Sequence, residues 1–186
     1  MRVISGLARG RRLSVPDGLE TRPTSDRARE GLFSTMESLR GPMHGARVLD
    51  LYAGSGAVGL EALSRGATHV TFIESDRQAF EVLRRNVGAV GLSGAVIREA
   101  SVESVLAGPP DAAYDVVFAD PPYADDVADV LAAIVAWLAP EGIVVIERSS
   151  RGEDLVWPPG VDAVKERRYG AGTLWYGRRA VDGEAT

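Results

Sequence analysis

Asp50-Leu51-Tyr52-Ala53-Gly54-Ser55-Gly56-Ala57-Val58-Gly59 is the stretch that decides the fold. The apolar run Ala46-Arg47-Val48-Leu49 before it reads as a short buried strand, and Val58 to Arg65 after it reads as a helix closed by Gly66. Strand, glycine turn and helix start are laid end to end. Glycines suit such a place because the chain must turn sharply and let a ligand approach its backbone, with helix N-terminal amides free to meet polar groups. The pattern is that of a cofactor loop.

Gly54-x-Gly56-x-x-Gly59 also satisfies the dinucleotide fingerprint, including an acidic residue about 20 positions on at Glu74. Two features argue against a nicotinamide cofactor. Asp50, at the end of the strand, would repel a pyrophosphate but suits a ligand carrying an ammonium and a sulfonium. A later Asp120-Pro121-Pro122-Tyr123 has no use in hydride transfer. Asp50 with the glycine turn and Glu74 resembles the S-adenosylmethionine site of Rossmann-like methyltransferases. Asp50 has a second reading, as a cap on the glycine turn through backbone amides.

At 186 residues the chain fits one domain with a substantial core, 45% of its residues being apolar. Its formal net charge of -5 argues against general nucleic-acid binding, yet residues 1 to 12 carry Arg2, Arg9, Arg11 and Arg12 with no acid, so basic charge is concentrated locally. Cysteine is absent, which excludes a disulfide framework and a cysteine nucleophile. His44 and His69 have no metal-ligand spacing to each other or to acids, and no metal is expected. The longest apolar helical stretch, near Val127 to Leu138, is interrupted by Asp129 and falls short of the about 20 residues a membrane span needs. No secretory apolar segment follows Met1, and a cytoplasmic location is expected.

Arg2 to Gly6 and Arg11 to Val15 read as two short strands joined at Ala8-Arg9-Gly10, with arginines on tip and arms. Pro16 to Pro23 is a loop, and Ser25 is a good N-cap for a helix reaching about Leu39, ended by Gly41 and Pro42. Strands and helices then alternate, the signature of a parallel sheet covered on both faces. Strands are expected at Arg47 to Leu51, His69 to Ile73, Ala95 to Arg98, Tyr114 to Ala119 and Gly142 to Glu147. Helices are expected at Val58 to Arg65, Arg77 to Val87, Val102 to Leu106 and Val127 to Leu138. Val161 to Tyr169 and Thr173 to Arg178 read as a closing antiparallel hairpin, giving a mostly parallel seven-stranded α/β sheet. Residues 1–24 form a basic hairpin extension, 25–180 the main domain, and 181–186 a tail expected to fray.

Ligands of such open sheets bind beyond the carboxyl ends of the strands, where strand order reverses. Asp50, Tyr52, Ala53, Gly54, Ser55 and Gly56 follow the first strand, Glu74 and Ser75 the second, Ser101 and Val102 the third, and Asp120 to Tyr123 the fourth. The Glu74 carboxylate offers two oxygens at the spacing of a ribose diol. After the fourth strand, two prolines fix the backbone and turn the Asp120 side chain and the Pro121 carbonyl toward one cavity, beside the Tyr123 ring. Acceptors beside an aromatic face suit a planar exocyclic amine, whose hydrogens are bound while its ring stacks. Methyl transfer there depends on positioning more than on acid-base power. Guanine is favoured over adenine because its N1-H and N2-H are adjacent donors that match a carboxylate.

Asp-Pro-Pro-Tyr resembles the motif of methyltransferases acting on amino groups of adenine, cytosine, guanine or a protein glutamine. The N-terminal third narrows this. Arg2-Val-Ile-Ser-Gly6, Arg9-Gly-Arg-Arg-Leu13, Thr21-Arg-Pro-Thr24, Asp26-Arg-Ala-Arg-Glu30, Asp50 to Gly56 and Glu61-Ala-Leu-Ser-Arg-Gly-Ala67 look like the bacterial RsmD family. The resemblance implies a class I methyltransferase that uses S-adenosylmethionine to methylate N2 of guanine 966 in 16S rRNA, within a small subunit or an assembly intermediate. It implies that Thr24 and Arg27 help cover the cofactor. Ser101 stands where such enzymes often carry Asp or Asn against the adenine amino group, and Tyr169 to Leu174 is one residue longer than the family pattern. Arg9, Arg11, Arg12 and Arg22, with Arg167 and Arg168, are the candidate phosphate contacts around an extruded base. An adenine-N6 methyltransferase, a nicotinamide-dependent reductase and a noncatalytic RNA-binding assembly factor are the competing readings.

Overall fold

The computed structural model describes residues 1–16, 26–122, 127–152 and 154–181. Ser25 and the loop through Pro23 lie outside them, so the expected N-cap of the first helix does too. That helix, α1 (Asp26–Arg40), precedes β1 (Arg47–Leu51), α2 (Ala57–Ser64), β2 (His69–Glu74), α3 (Arg77–Val90), β3 (Ala95–Glu99), α4 (Val102–Leu106), β4 (Tyr114–Ala119), α5 (Ala128–Ile134) and a 3-10 turn at Val135–Trp137. Three strands close the chain: β5 (Leu138–Ser149), β6 (Val161–Tyr169) and β7 (Gly172–Arg179).

The seven strands lie in the order β3-β2-β1-β4-β5-β7-β6. β1 pairs in parallel with β2 and β4, β2 with β3, and β4 with β5, whereas β7 is antiparallel to both β5 and β6. Strand order therefore reverses between β1 and β4. Alternate residues feed two cores. Val48, Phe72, Val116, Phe118, Ile143 and Tyr176 meet α1, α2 and the N-terminal segment on one face. On the other, Leu49, Leu51, Ile73, Val117, Val144 and Ile146 meet α4, α5 and Trp137.

Two expectations change in detail. β5 starts at Leu138 rather than Gly142, because Tyr114 pairs with Leu138 before the register shifts and resumes at Val116 and Ile143. Pro140-Glu141-Gly142 makes the irregularity, with Glu141 at φ 60°, and the end of the expected fifth helix becomes the 3-10 turn. The N-terminal arms pair through a single antiparallel bridge, Arg2 with Arg12, instead of two strands. Val3 N and Leu13 N donate across the arms to the Arg11 and Met1 carbonyls, each at 2.9 Å, while other amides of the segment turn to the body of the protein. Glu61, fully buried on α2, accepts Ile4 N at 2.7 Å and Ser5 N at 2.9 Å. Ser64, at the end of α2, accepts Leu7 N through its carbonyl and Ala8 N through its hydroxyl. Val3, Ala8 and Leu13 are buried in the same core as α1 and α2, which supplies the support an isolated hairpin lacks.

Candidate functional site

The carboxyl ends of β1, β2 and β4 carry the predicted residues to the crevice at the strand-order reversal. Each glycine of the turn has its own reason. Gly54 and Gly56 have φ of 55° and 78°, the left-handed region that side chains avoid. A Cβ on Gly59 would stand 2.2 Å from Phe72 Cε1, so the third glycine lets α2 lie close on β2. A Cβ on Gly54 would meet nothing within 4 Å, which leaves that backbone open to a ligand.

Asp50 is 1% exposed, and its Oδ2 accepts the Gly59 amide at 2.9 Å. Gly56, the N-cap of α2, has no capping side chain. Asp50 therefore satisfies an otherwise orphaned donor in the first turn from the neighbouring strand, which is the capping role sequence left open. Burial pushes the Asp50 carboxyl up to about 8; the Gly59 bond opposes this, and the charges of Glu74 and Asp120 add to it. Asp50, Glu74 and Asp120 thus stand near one another at the strand-order reversal, Asp50 beneath the surface. Such a place disfavours anions and rewards a cation that enters it.

Glu74 ties the walls together. Its Oε2 accepts Gly54 N and its Oε1 accepts Asp76 N, each at 2.7 Å. Each oxygen retains a further lone pair for a ligand hydroxyl. Ala53 N donates to Ile73 O at 3.0 Å and Ala100 N to Glu74 O at 3.1 Å, so the ends of β1, β2 and β3 form one hydrogen-bonded rim. Ser75 is exposed beside it. Ser101 Oγ accepts Ser104 N at 3.2 Å and caps α4, an engagement that leaves it one lone pair for an adenine amine; Val102 is buried behind it. Tyr52, at φ 56°, donates its hydroxyl to Glu103 Oε1 at 3.0 Å and bridges the β1 turn to α4. The Tyr52 and Ser101 hydrogen bonds hold the Glu103 carboxyl below its usual range, after the larger effect of its own backbone amide.

Asp120 follows β4 exposed at the crevice, Pro121 is buried and Pro122 exposed. Tyr123, Thr24 and Arg22 lie outside the described residues. Arg27 is exposed in the first turn of α1. The arginine set divides. Arg167 and Arg168 pair with Leu174 and Thr173 of β7, whose partners Glu147 and Arg148 end β5, so they stand near the carboxyl edge. The Arg168 guanidinium bonds Glu166 at 2.8 Å. The tip carrying Leu7, Ala8 and Arg9 is pinned at Ser64, the end of α2 away from Gly56. Arg11 donates to Ala89 O and Val90 O at 2.7 and 3.0 Å and neutralises the C-terminus of α3, a structural role that sequence reading did not foresee. Arg9 and Arg12 are exposed.

Sequence reasoning also missed Glu61, Ser64 and Asn86, all buried polar residues at core positions of helices. The legible signal was their spacing: Asn86 falls in register with Ala79, Val82, Leu83 and Val90 on the buried face of α3, where a carboxamide must have partners.

A reversing parallel sheet, a glycine turn bridged by an acid at the next strand end, and Asp-Pro-Pro after β4 define a Rossmann-like methyltransferase fold. A family described as conserved hypothetical protein 95 matches residues 1–178, and the chain belongs to it, the RsmD family that its motifs resemble. Ribosomal RNA small subunit methyltransferase D of Haemophilus influenzae is 34% identical over 176 residues, 91% of this chain and 89% of that one. The protein of the same name from Escherichia coli K12 is 38% identical over 152 residues, covering 79% and 74%. A solved Escherichia coli structure, yhhF, described as a candidate methyltransferase, superposes with a TM-score of 0.86 at 34% identity over 98% of this chain and 99% of that one.

Proposed function

We propose that the protein transfers a methyl group from S-adenosylmethionine to the exocyclic N2 amine of a guanine in 16S rRNA, the position resembling guanine 966, during small-subunit maturation in the cytoplasm. The observation that carries the reading is the geometry at the β1/β4 reversal: Glu74 bridging the glycine turn, Asp50 capping it from beneath, open backbone at Gly54, and Asp120-Pro121-Pro122 at the neighbouring strand end. The acids Glu74 and Asp120 at this edge suit a ligand carrying a sulfonium and an ammonium better than a pyrophosphate, and Asp120-Pro121-Pro122 has no use in hydride transfer, both of which argue against the nicotinamide reading.

When bound, S-adenosylmethionine supplies an electrophilic methyl group. Glu74 would hold its ribose through the lone pairs left beside the Gly54 and Asp76 amides, and the open Gly54 to Gly56 backbone would receive it. Ser101 and the Val102 amide would meet its adenine, Arg27 and Thr24 would help cover it, and Asp50 would hold the turn that receives it. Asp120 and the Pro121 carbonyl accept the N2 hydrogens, which draws the nitrogen lone pair out of conjugation, while Pro122 and Tyr123 hold the ring. Arg167 and Arg168 at this edge, with Arg9 and Arg12 further away, attract the phosphates of an extruded nucleotide in a salt-dependent way, and Arg22 is a further candidate from sequence. The relatives' names specify small-subunit rRNA and not the base, so guanine over adenine rests on the motif resemblance and on the fit of N1-H and N2-H to the Asp120 carboxylate.

The test is methyl transfer from labelled S-adenosylmethionine to small subunits from cells that lack the gene, with the product nucleoside mapped. N2-methylguanosine at one site in 16S rRNA is expected. N6-methyladenosine would establish the alternative, and RNA binding that needs neither donor nor Asp120 would establish a noncatalytic assembly factor.

A further inference from the structure

Every residue of the glycine turn has one anchor. Gly54 N is held by Glu74 at 2.7 Å, and Gly56 N by the Ala53 carbonyl at 2.8 Å. Ser55 lies between them, and its carbonyl accepts Asn86 Nδ2 at 2.8 Å. Asn86 comes from α3, is 2% exposed, and makes two more bonds. Its Nδ2 donates to Ser14 O and its Oδ1 accepts Ser14 N, both at 2.9 Å. The carboxamide thus pairs with the Ser14 backbone as a neighbouring strand would, and spends its second amide hydrogen on the turn.

Ser14 follows Leu13, which is buried in the core, on the second arm of the segment, whose first arm is held by Glu61 and whose tip is held by Ser64. One side chain is therefore shared by the basic N-terminal segment and the loop that faces the crevice. A turn with two glycines at positive φ has many alternative conformations, and binding is weakened when those must be frozen. We propose that Asn86 is a positioning residue that preorganises the Gly54-Ser55-Gly56 turn and couples it to the N-terminal segment at Ser14, so that donor binding and ordering of that segment reinforce each other. By linkage the reinforcement is reciprocal: whatever orders the segment, including RNA on its arginines, tightens donor binding by the same factor. The inference rests on the S-adenosylmethionine reading of the crevice.

Hydrogen exchange and calorimetry with S-adenosylmethionine alone separate the two. In the full-length wild-type chain, the donor is expected to slow exchange at residues 52–60 and also in the peptide containing Leu13 to Pro16. Asn86→Leu keeps side-chain bulk but removes all three bonds, and Asn86→Asp keeps the acceptor alone. Each is expected to raise the donor Kd about tenfold, about 1.4 kcal/mol, to abolish the protection at Leu13 to Pro16, and to leave kcat at saturating donor within about threefold. Protection confined to residues 52–60 in the wild type overturns the coupling, as does an unchanged Kd in variants whose melting temperature has fallen. The wild-type exchange decides the matter if neither variant folds. A wild type that binds no donor at all overturns the functional reading first, and the coupling with it.

Discussion

Asp50 Oδ2 accepts the Gly59 amide at 2.9 Å, so a carboxyl at the end of β1 caps a helix that begins seven residues further on. The cap is fully buried and lies in the field of Glu74 and Asp120, and the carboxyl is pushed up to about 8 from an ordinary 3.8. An acid whose value rises on folding stabilises the fold fully below its unfolded value. That contribution is lost as pH rises through the folded value. Asp50→Asn keeps a carbonyl for Gly59 without the charge. Between pH 4 and 8 the wild-type stability should therefore fall relative to Asp50→Asn by an amount on the order of a few kcal/mol. Parallel melting curves across that range would show that Asp50 is not held neutral.

Gly59→Ala tests the close approach of α2 to β2. The added methyl would lie 2.2 Å from Phe72 Cε1 and 2.7 Å from Val70 Cγ1, both on a fully buried strand. A loss of about 1–3 kcal/mol is expected, the range of overpacked cores. Phe72→Leu should cost less in the Gly59→Ala background than in the wild type, because it vacates the contested space. Additive losses in chemical denaturation would contradict the contact.

Glu61 makes a different demand. It is 0% exposed, accepts two amides of the N-terminal arm, and pairs with Arg65 at 2.8 Å. Removing its charge leaves Arg65, 9% exposed at its side chain, with Glu30 and Glu37 and strands the Ile4 and Ser5 amides. Glu61→Ala should destabilise the protein by about 3–5 kcal/mol and open residues 1–16 to protease. An arm that stays protected would mean that Val3, Ala8 and Leu13 hold it by burial alone.

The parallel sheet, the reversal point and the crevice residues were legible because each rests on local pattern: apolar runs for buried strands, glycines at fixed offsets, an acid at the second strand end. For Asp50, its place before the turn disclosed the cap on the glycine turn that the Gly59 bond makes. What sequence did not disclose depends on partners distant in the chain. Arg11 reads as a phosphate ligand until the Ala89 and Val90 carbonyls come within 3.0 Å. The arms read as strands because their alternation is right, but Glu61 and Ser64 compete for the amides a ladder would use. Asn86 was visible only as a polar residue on an apolar helical stripe, with nothing local to say that Ser14 and Ser55 would claim it.

Asp120→Asn separates recognition from folding. Asp120 is exposed at the end of β4, between the buried Ala119 and Pro121, so the exchange alters no core packing. A carboxylate accepts from two adjacent donors, whereas a carboxamide accepts at one atom and donates at the other, and would oppose either N1-H or N2-H of guanine. On the proposed reaction, kcat/KM for small-subunit RNA should fall by about two orders of magnitude or more, about 2.7 kcal/mol or above. The Kd for S-adenosylmethionine should change little, because Glu74 and the glycine turn hold it. Stopped reactions with labelled donor measure the first quantity and calorimetry the second. Near-normal methylation by the Asn variant would remove the carboxylate from the chemistry and shift the amine's recognition to the Pro121 carbonyl, and with it the case for guanine.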